Sequence, residues 1–395
     1  MKLKIKLLAI LLSIGLFSCS VEDDVPTPDQ IDVERTVFVY MPWSTNLLGA
    51  FETNLKALQQ SIVKNRIRSD RFVVFLAQSQ TKAELFELKY AGDKCDTIPL
   101  KSYSNPEFTT ADGLSGIITD ALTFCPAPKY SMIVGSHGLG WITVESRWKS
   151  RAAMKFHWDN LDENGVSLTR LFGGLTAESQ TDITTLTAAV KKAGVKWEYL
   201  LFDDCYMSCV EVAYEFKDIT DHLIGCPTEV MFYGFPYDLV GEHLTGKVDY
   251  EGVVEAFYQF YSNYSTPCGT IAVTVCSEMD NLAAIMKEIN RQFEFNESLR
   301  DQIQMMDGYR PVVFFDYGDY VSKLCPDNEL LAEFNAQLEL TVPCRYKRHT
   351  PEYFTSLTGG DRIQINTYSG LTISDPSINN LASDKTETAW YKATH

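Results

Sequence analysis

The chain has 395 residues, 45% of them hydrophobic and 22% charged, which is enough for one large globular domain and a smaller one around a sizeable core. Its formal charge is -17 and no long basic run is visible, so a nucleic-acid binder, which needs a basic patch, is disfavoured. An acidic surface also disfavours anionic partners and tolerates cationic ones.

The chain opens with MKLKIKLLAILLSIGLFSCS, which reads as an export signal. Lys2, Lys4 and Lys6 form the basic region, and Leu7 to Phe17 form an apolar run too short to span a bilayer. The run ends in LFSC, which resembles a bacterial lipobox with Cys19 as the lipidated residue. SVEDDVPTPDQ follows, acidic and Pro-containing, as expected of a flexible tether. An acidic stretch directly after a lipidated Cys resembles the surface-export signal of Bacteroidetes lipoproteins. TVFVYMPWSTN, from Thr36, predicts the first core strand. Leu47, Phe51, Leu55, Leu58 and Ile62 predict an amphipathic helix over Asn46 to Ile62. RFVVFLAQS, from Arg71, predicts a second buried strand, Leu85 to Ala91 an edge strand, and Thr110 to Phe124 a helix. YSMIVGSHG is a further strand closing on His137.

Residues from about Trp141 to Val195 hold no clean strand, and Arg147, Lys149, Arg151 and Lys155 make a basic loop. Asp182 to Ala193 predicts a helix leading into KWEYLLFDDC, a strand that closes on Cys205, and another helix is expected to start almost at that residue. GTIAVTVCS, from Gly269, is a later strand and Asn281 to Phe295 a later helix. Strands alternating with helices argue for a parallel sheet with crossover helices, which faces the carboxyl ends of its strands toward a ligand crevice. The last hundred or so residues read as a smaller α+β part.

A His and a Cys delivered to one crevice by two strands are what a thiol nucleophile and its base require. A helix N-terminus at Cys205 would lower its pKa, and its backbone N–H could donate to an oxyanion. Gly138, directly after His137, could supply the second donor. The bland alternative is that both are buried strand-end residues. Besides Cys19 there are nine cysteines, an odd number, so a full disulfide framework leaves at least one thiol over. No CxxC or HExxH spacing appears, so zinc and a metalloprotease are disfavoured.

IVGSHGLGW resembles the histidine motif of the clostripain-like cysteine peptidases of the caspase/gingipain clan, and FDDCYMSCVEVAYEFKD resembles their nucleophile motif. VFVYMPWSTN, CPTEVMFYGFPYD, RPVVFFDYGDYV, YSGLTISDPS and WYKATH resemble further family blocks, so the likeness covers nearly the whole mature chain. It implies a caspase-like α/β/α sandwich with a mostly parallel sheet and a smaller C-terminal α+β part. The expected layout is 1–18 signal peptide, 19–33 tether, 34–280 catalytic domain and 281–395 C-terminal subdomain completing the fold.

The resemblance implies a dyad of His137 as base and Cys205 as nucleophile, with the N–H groups of Gly138 and Cys205 as oxyanion donors. Asp203 matches the acidic residue of the S1 pocket, which would pair with Arg or Lys at P1; a structural carboxylate is the alternative. Asp204 stands where the family usually has Ala, which leaves open which carboxylate faces the pocket. Glu229 and Asp238 are weaker candidates for its rim. The family cleaves itself between the His and the Cys, and here Lys149 and Arg151 are the candidate sites, against the alternative of a solvated loop. Clostripain is linked to calcium; no cofactor is required by the motifs and no EF-hand pattern is present, so calcium stays open.

The expectation is an exported, lipid-anchored cysteine endopeptidase of the cell envelope, an outer-membrane lipoprotein facing outward, monomeric, acting on proteins or peptides with a basic P1 residue. The alternatives are a surface binding or adhesion module that keeps the fold without turnover, and a cysteine hydrolase acting on another amide.

Overall fold

The computed structural model describes residues 33–44, 46–146, 170, 180–375 and 377–395. The signal, Cys19, nearly all of the tether, Lys149 and Arg151 lie outside the described residues.

A nine-stranded sheet runs through the molecule in the order β10-β8-β7-β6-β5-β1-β2-β3-β4. Its centre is β7 (Thr220–Gly225), β6 (Trp197–Asp203), β5 (Lys129–Gly135), β1 (Arg35–Met41) and β2 (Asp70–Ser79), all parallel. All seven residues of β1 are buried, as expected of a strand covered on both faces. Both flanks are antiparallel. On one side are β3 (Lys82–Tyr90) and β4 (Cys95–Ser104). On the other are β8 (Thr270–Val275) and, further along the chain than β9 (Phe315–Asp316), β10 (Lys347–His349). The expected edge strand near Leu85 is therefore an inner strand. The true edge is β4, whose CDTIPLKSYS has little apolar signal and carries Pro99, which an edge tolerates.

Helix α1 spans Leu48–Lys64 and buries Phe51, Leu55, Leu58 and Ile62 as predicted, with Asn54 at the middle of that face. Helix α2 (Ala111–Phe124) is capped by the Thr110 hydroxyl, which accepts from Gly113 N, and packs against α3 (Ile183–Lys192). Helix α4 (Val210–Phe216) lies between two apolar cores. Val212 and Phe216 join the core around the sheet; Val210 and Ala213 join one built with helices Met279–Gln292 and Tyr317–Leu324 and with Trp390. The C-terminal part also adds two small antiparallel pairs, β11 (Glu352–Thr355) with β12 (Asp361–Gln364), and β13 (Thr372–Ile373) with β9. It is tied to the chain just ahead of α4: Thr372 N donates to Ser208 O at 3.0 Å and the Ser208 hydroxyl to Gly370 O at 2.8 Å. Both ends of the Cys205–Cys209 segment are thus anchored, one in the sheet and one between two cores.

Candidate active site

Strands β5 and β6 are neighbours, and Gly135, the last residue of β5, stands opposite Asp203, the last of β6. His137 and Cys205 each come two residues later, so adjacent strands carry both to the same edge of the sheet. The chain leaves β6 through Tyr206, which has a φ of 63°. A bulky side chain in this left-handed region costs about 1–2 kcal/mol, so surrounding contacts must hold it. Tyr206 N donates to Thr228 O at 3.0 Å, its hydroxyl donates to Glu229 Oε1 at 3.2 Å, and its ring stacks on Phe314 with centroids 5.0 Å apart.

Helix α4 begins at Val210, not at Cys205, because the chain first makes this tight turn. The expected helix-terminus effect on the thiol is therefore absent. Burial pushes the Cys205 thiol well above its ordinary range, the Glu229 charge adds to this, and the hydrogen bond from Val230 opposes it. Val230 N donates to Sγ at 3.1 Å, and the S–H points back to Val230 O at 3.7 Å. In this state the residue is a neutral thiol shut away from solvent.

His137 is likewise buried, with an oxygen on each ring nitrogen. Nδ1 lies 2.8 Å from Arg170 O and Nε2 lies 2.8 Å from Asn46 Oδ1. Two oxygen partners suit a doubly protonated ring, yet burial, reinforced by the Arg170 charge, lowers the pKa to about 4. Gly138 packs on the Cys205 backbone so closely that a Cβ there would lie 2.5 Å from Cys205 O and 3.1 Å from Cys205 N. The two expected oxyanion donors, Gly138 and Cys205, thus lie side by side.

Asp203 is fully buried and its carboxylate is saturated. Oδ2 pairs with Arg170 Nη1 at 2.8 Å and accepts the Tyr237 hydroxyl at 3.0 Å, and Oδ1 accepts Phe235 N at 3.1 Å. Burial is the largest influence on its pKa and acts upward, with the Arg170 guanidinium the main opposing one. Arg170 is itself wholly buried in this pocket. Its backbone N donates to Val230 O at 2.8 Å, and its carbonyl is the one at His137. A basic side chain therefore sits in an acidic pocket, with its own carbonyl on His137 and its own N–H on Val230, the residue that holds the Cys205 thiol. Asp204 turns the other way: Oδ1 accepts Ser136 N at 2.5 Å, and with Ser44, Gly138 and Thr181 it lines a cavity of about 70 Å³. Asp203 is thus the carboxylate that faces the basic group. Glu229 is not at the pocket rim. Its carboxylate accepts Thr355 Oγ1 at 2.8 Å, Ser356 N at 2.9 Å and Ser356 Oγ at 2.7 Å, fastening β11 to the Cys205 turn.

Sequence reasoning passes over Asn54 and Arg170, and meets Asn46 only as the Asn that ends the VFVYMPWSTN block, with no role attached. Asn54 does leave a signal, a polar residue at the centre of an apolar helix face; Arg170 leaves none, since it belongs to no periodic pattern. The nine described cysteines form no disulfide. Among the described residues no three His, Cys, Asp or Glu side chains gather in a way that could hold a metal ion, so no calcium site is assigned and no step is drawn through one.

The model of the clostripain family matches residues 39–324. Among solved structures, the chain is similar to a secreted C11 cysteine protease of Bacteroides thetaiotaomicron ("iotapain"), at 52% identity and a TM-score of 0.84 over 92% of this chain and 100% of that one. It is also similar to a clostripain from B. thetaiotaomicron ATCC 29148 in complex with the peptide inhibitor BTN-VLTK-AOMK, at 62% identity and a TM-score of 0.55 over 57% of this chain and 99% of that one. An inactive zymogen C11 protease from Parabacteroides distasonis matches at 26% identity and a TM-score of 0.77, over 92% and 99%. No curated protein sequence matches.

Proposed function

Since this chain belongs to the clostripain family of cysteine peptidases, we propose that it is an exported endopeptidase that works through Cys205 and His137, cleaves after basic residues held by Asp203, and takes its own Arg170 as first substrate. The observation that carries this reading is the buried Arg170–Asp203 pair, with the Arg170 peptide group lying between His137 and Val230. A buried cation–carboxylate pair with every donor used is a recognition geometry rather than a surface accident.

In the proposed chemistry the Cys205 proton passes to His137 and the sulfur bonds to the carbonyl carbon of the P1 residue. His137 then gives that proton to the leaving amine as the C–N bond breaks. A water next loses a proton to His137, its oxygen bonds to the acyl carbon, and the C–S bond breaks to restore the thiol. The N–H groups of Gly138 and Cys205 would hold the oxyanion. In the uncut chain the Arg170 carbonyl oxygen is on His137 Nδ1 and Cys205 is a buried neutral thiol, the arrangement of a latent enzyme. Asn46 would keep the imidazole oriented through Nε2.

Three similar proteins support the reading. One similar clostripain binds a peptide inhibitor whose sequence ends Leu-Thr-Lys, and residues 168–170 of this chain read Leu-Thr-Arg. One similar protease is an inactive zymogen, and another is described as secreted. Lipid attachment at Cys19 with an acidic tether would place the enzyme on the cell envelope.

The test is to purify residues 20–395 as wild type, Cys205→Ala and Arg170→Ala, and to sequence the N-termini that appear. A new terminus at Leu171 in the wild type alone is expected, together with hydrolysis of P1-Arg or P1-Lys fluorogenic peptides. Termini only after Lys149 or Arg151 would move self-cleavage into the preceding loop. Absence of peptide turnover, even after trypsin nicking and with calcium added, would favour a binding module.

A further inference from the structure

We infer that Asn54 is a specificity-determining residue of the basic pocket, selecting arginine over lysine by reading the edge of the guanidinium that Asp203 does not reach. This rests on the reading of that pocket as the P1 site.

The guanidinium of Arg170 meets acceptors on all three nitrogens. Nη1 donates to Asp203 Oδ2 at 2.8 Å and to Asp203 O at 2.9 Å. Nη2 donates to Asn54 Oδ1 at 2.5 Å and to Tyr233 O at 3.2 Å. Nε donates to Phe232 O at 3.3 Å. These acceptors come from the end of β6, from α1 and from the loop after Val230, so three separate elements are shaped to one planar fork. The ring of Phe51, one helical turn before Asn54 on the same face of α1, lies 5.7 Å from the guanidinium carbon. Gly234, with a φ of 76°, closes the wall; a Cβ there would lie 2.4 Å from the guanidinium carbon.

The orientation of the Asn54 amide is set from behind. Nδ2 donates to Tyr233 O at 2.8 Å and to Phe235 O at 3.3 Å. A flipped amide would face its oxygen to two carbonyls and its NH2 to the guanidinium, so Oδ1 must point into the pocket. Asn54 is fully buried. An ammonium group held by Asp203 has no second edge and leaves Oδ1 without a donor. A site built to hydrogen-bond one group rejects the analogue that lacks it, because a buried polar atom is then unpaired.

The test compares kcat/KM for matched P1-Arg and P1-Lys peptides on the self-processed wild type and on Asn54→Ala. The wild type is expected to favour Arg by roughly 10- to 100-fold, the size of one hydrogen bond to a charged group. Asn54→Ala should lose that factor on the Arg peptide and change little on the Lys peptide. A structural defect or incomplete processing would lower both alike and leave the ratio intact. Because Asn54→Ala also frees two carbonyls and could fold poorly, the wild type is tested in parallel with butylguanidine and pentylamine as competitors. Tighter inhibition by the guanidine supports the inference. Equal inhibition, an Arg/Lys ratio near one in the wild type, or a ratio unchanged by Asn54→Ala with the Lys-peptide rate held at the wild-type level overturns it while leaving the peptidase reading standing. No cleavage of either peptide by the wild type overturns both.

Discussion

The carboxyl of Asp204 is the most exposed to test by pH. It is buried beside Asp203, and burial first, then the Asp203 charge, raises its pKa from 3.8 to about 8 against the pull of Ser136 N–H and Arg170. The folded protein therefore holds a proton there, between about pH 4 and pH 8, that the unfolded chain has released. Stability from this group is fully present below pH 4 and is lost as pH rises through 8, at about 1.4 kcal/mol per pH unit. Over this window the loss is on the order of 5 kcal/mol, a large share of the net stability of a folded protein. Asp204→Asn removes the charge and keeps an oxygen for Ser136 N–H. Urea unfolding of Cys205→Ala and Cys205→Ala/Asp204→Asn, at steps from pH 4.5 to 8.5, should show curves that coincide at the acid end and diverge with rising pH, the Asn variant being the more stable. Parallel curves, or an Asn variant that is less stable at pH 8, would refute the reasoning.

Three further outcomes are expected. Asn46→Ala removes the oxygen on His137 Nε2 and should lower kcat on a P1-Arg peptide by about tenfold or more with little change in KM, since only the orientation of the acid–base group is disturbed. Glu229→Ala leaves Thr355 Oγ1, Ser356 N, Ser356 Oγ and Tyr206 OH without their acceptor and should destabilise the fold by roughly 2–4 kcal/mol, read by denaturant unfolding in a Cys205→Ala background. Gly138→Ala places a methyl 2.5 Å from Cys205 O and 2.7 Å from Asp204 Cβ, so the Cys205 turn must move; the fragment ending at Arg170 should no longer form on gels.

The central strands are legible because parallel strands covered on both faces read as apolar runs, as in VFVYM within β1 and YLLF within β6. The two strand ends that carry His137 and Cys205 follow from the same runs, and the motifs around them point to the family. The antiparallel edge β4 is not legible, because an exposed strand buries little and so has no apolar alternation to read. Nor is the start of α4: VEVAYEF continues from Cys205 with no proline or glycine to mark where the helix begins, and only the left-handed turn at Tyr206 decides that it begins beyond the thiol.

What the sequence by itself determines here is local and periodic: which runs become strands, and which residue follows each. What only the tertiary structure decides is which distant groups meet. Arg170 lies 33 residues from both His137 and Asp203 and 116 from Asn54 along the chain, and nothing in its neighbourhood marks it. It is the register of β5 on β6, the packing of α1 and the turn at Gly234 that bring one carboxylate, one amide and three carbonyls around its guanidinium. Burial there then reverses the expectation for the thiol, raising its pKa where a helix terminus would have lowered it, because desolvation of a charge outweighs any dipole the chain could offer nearby.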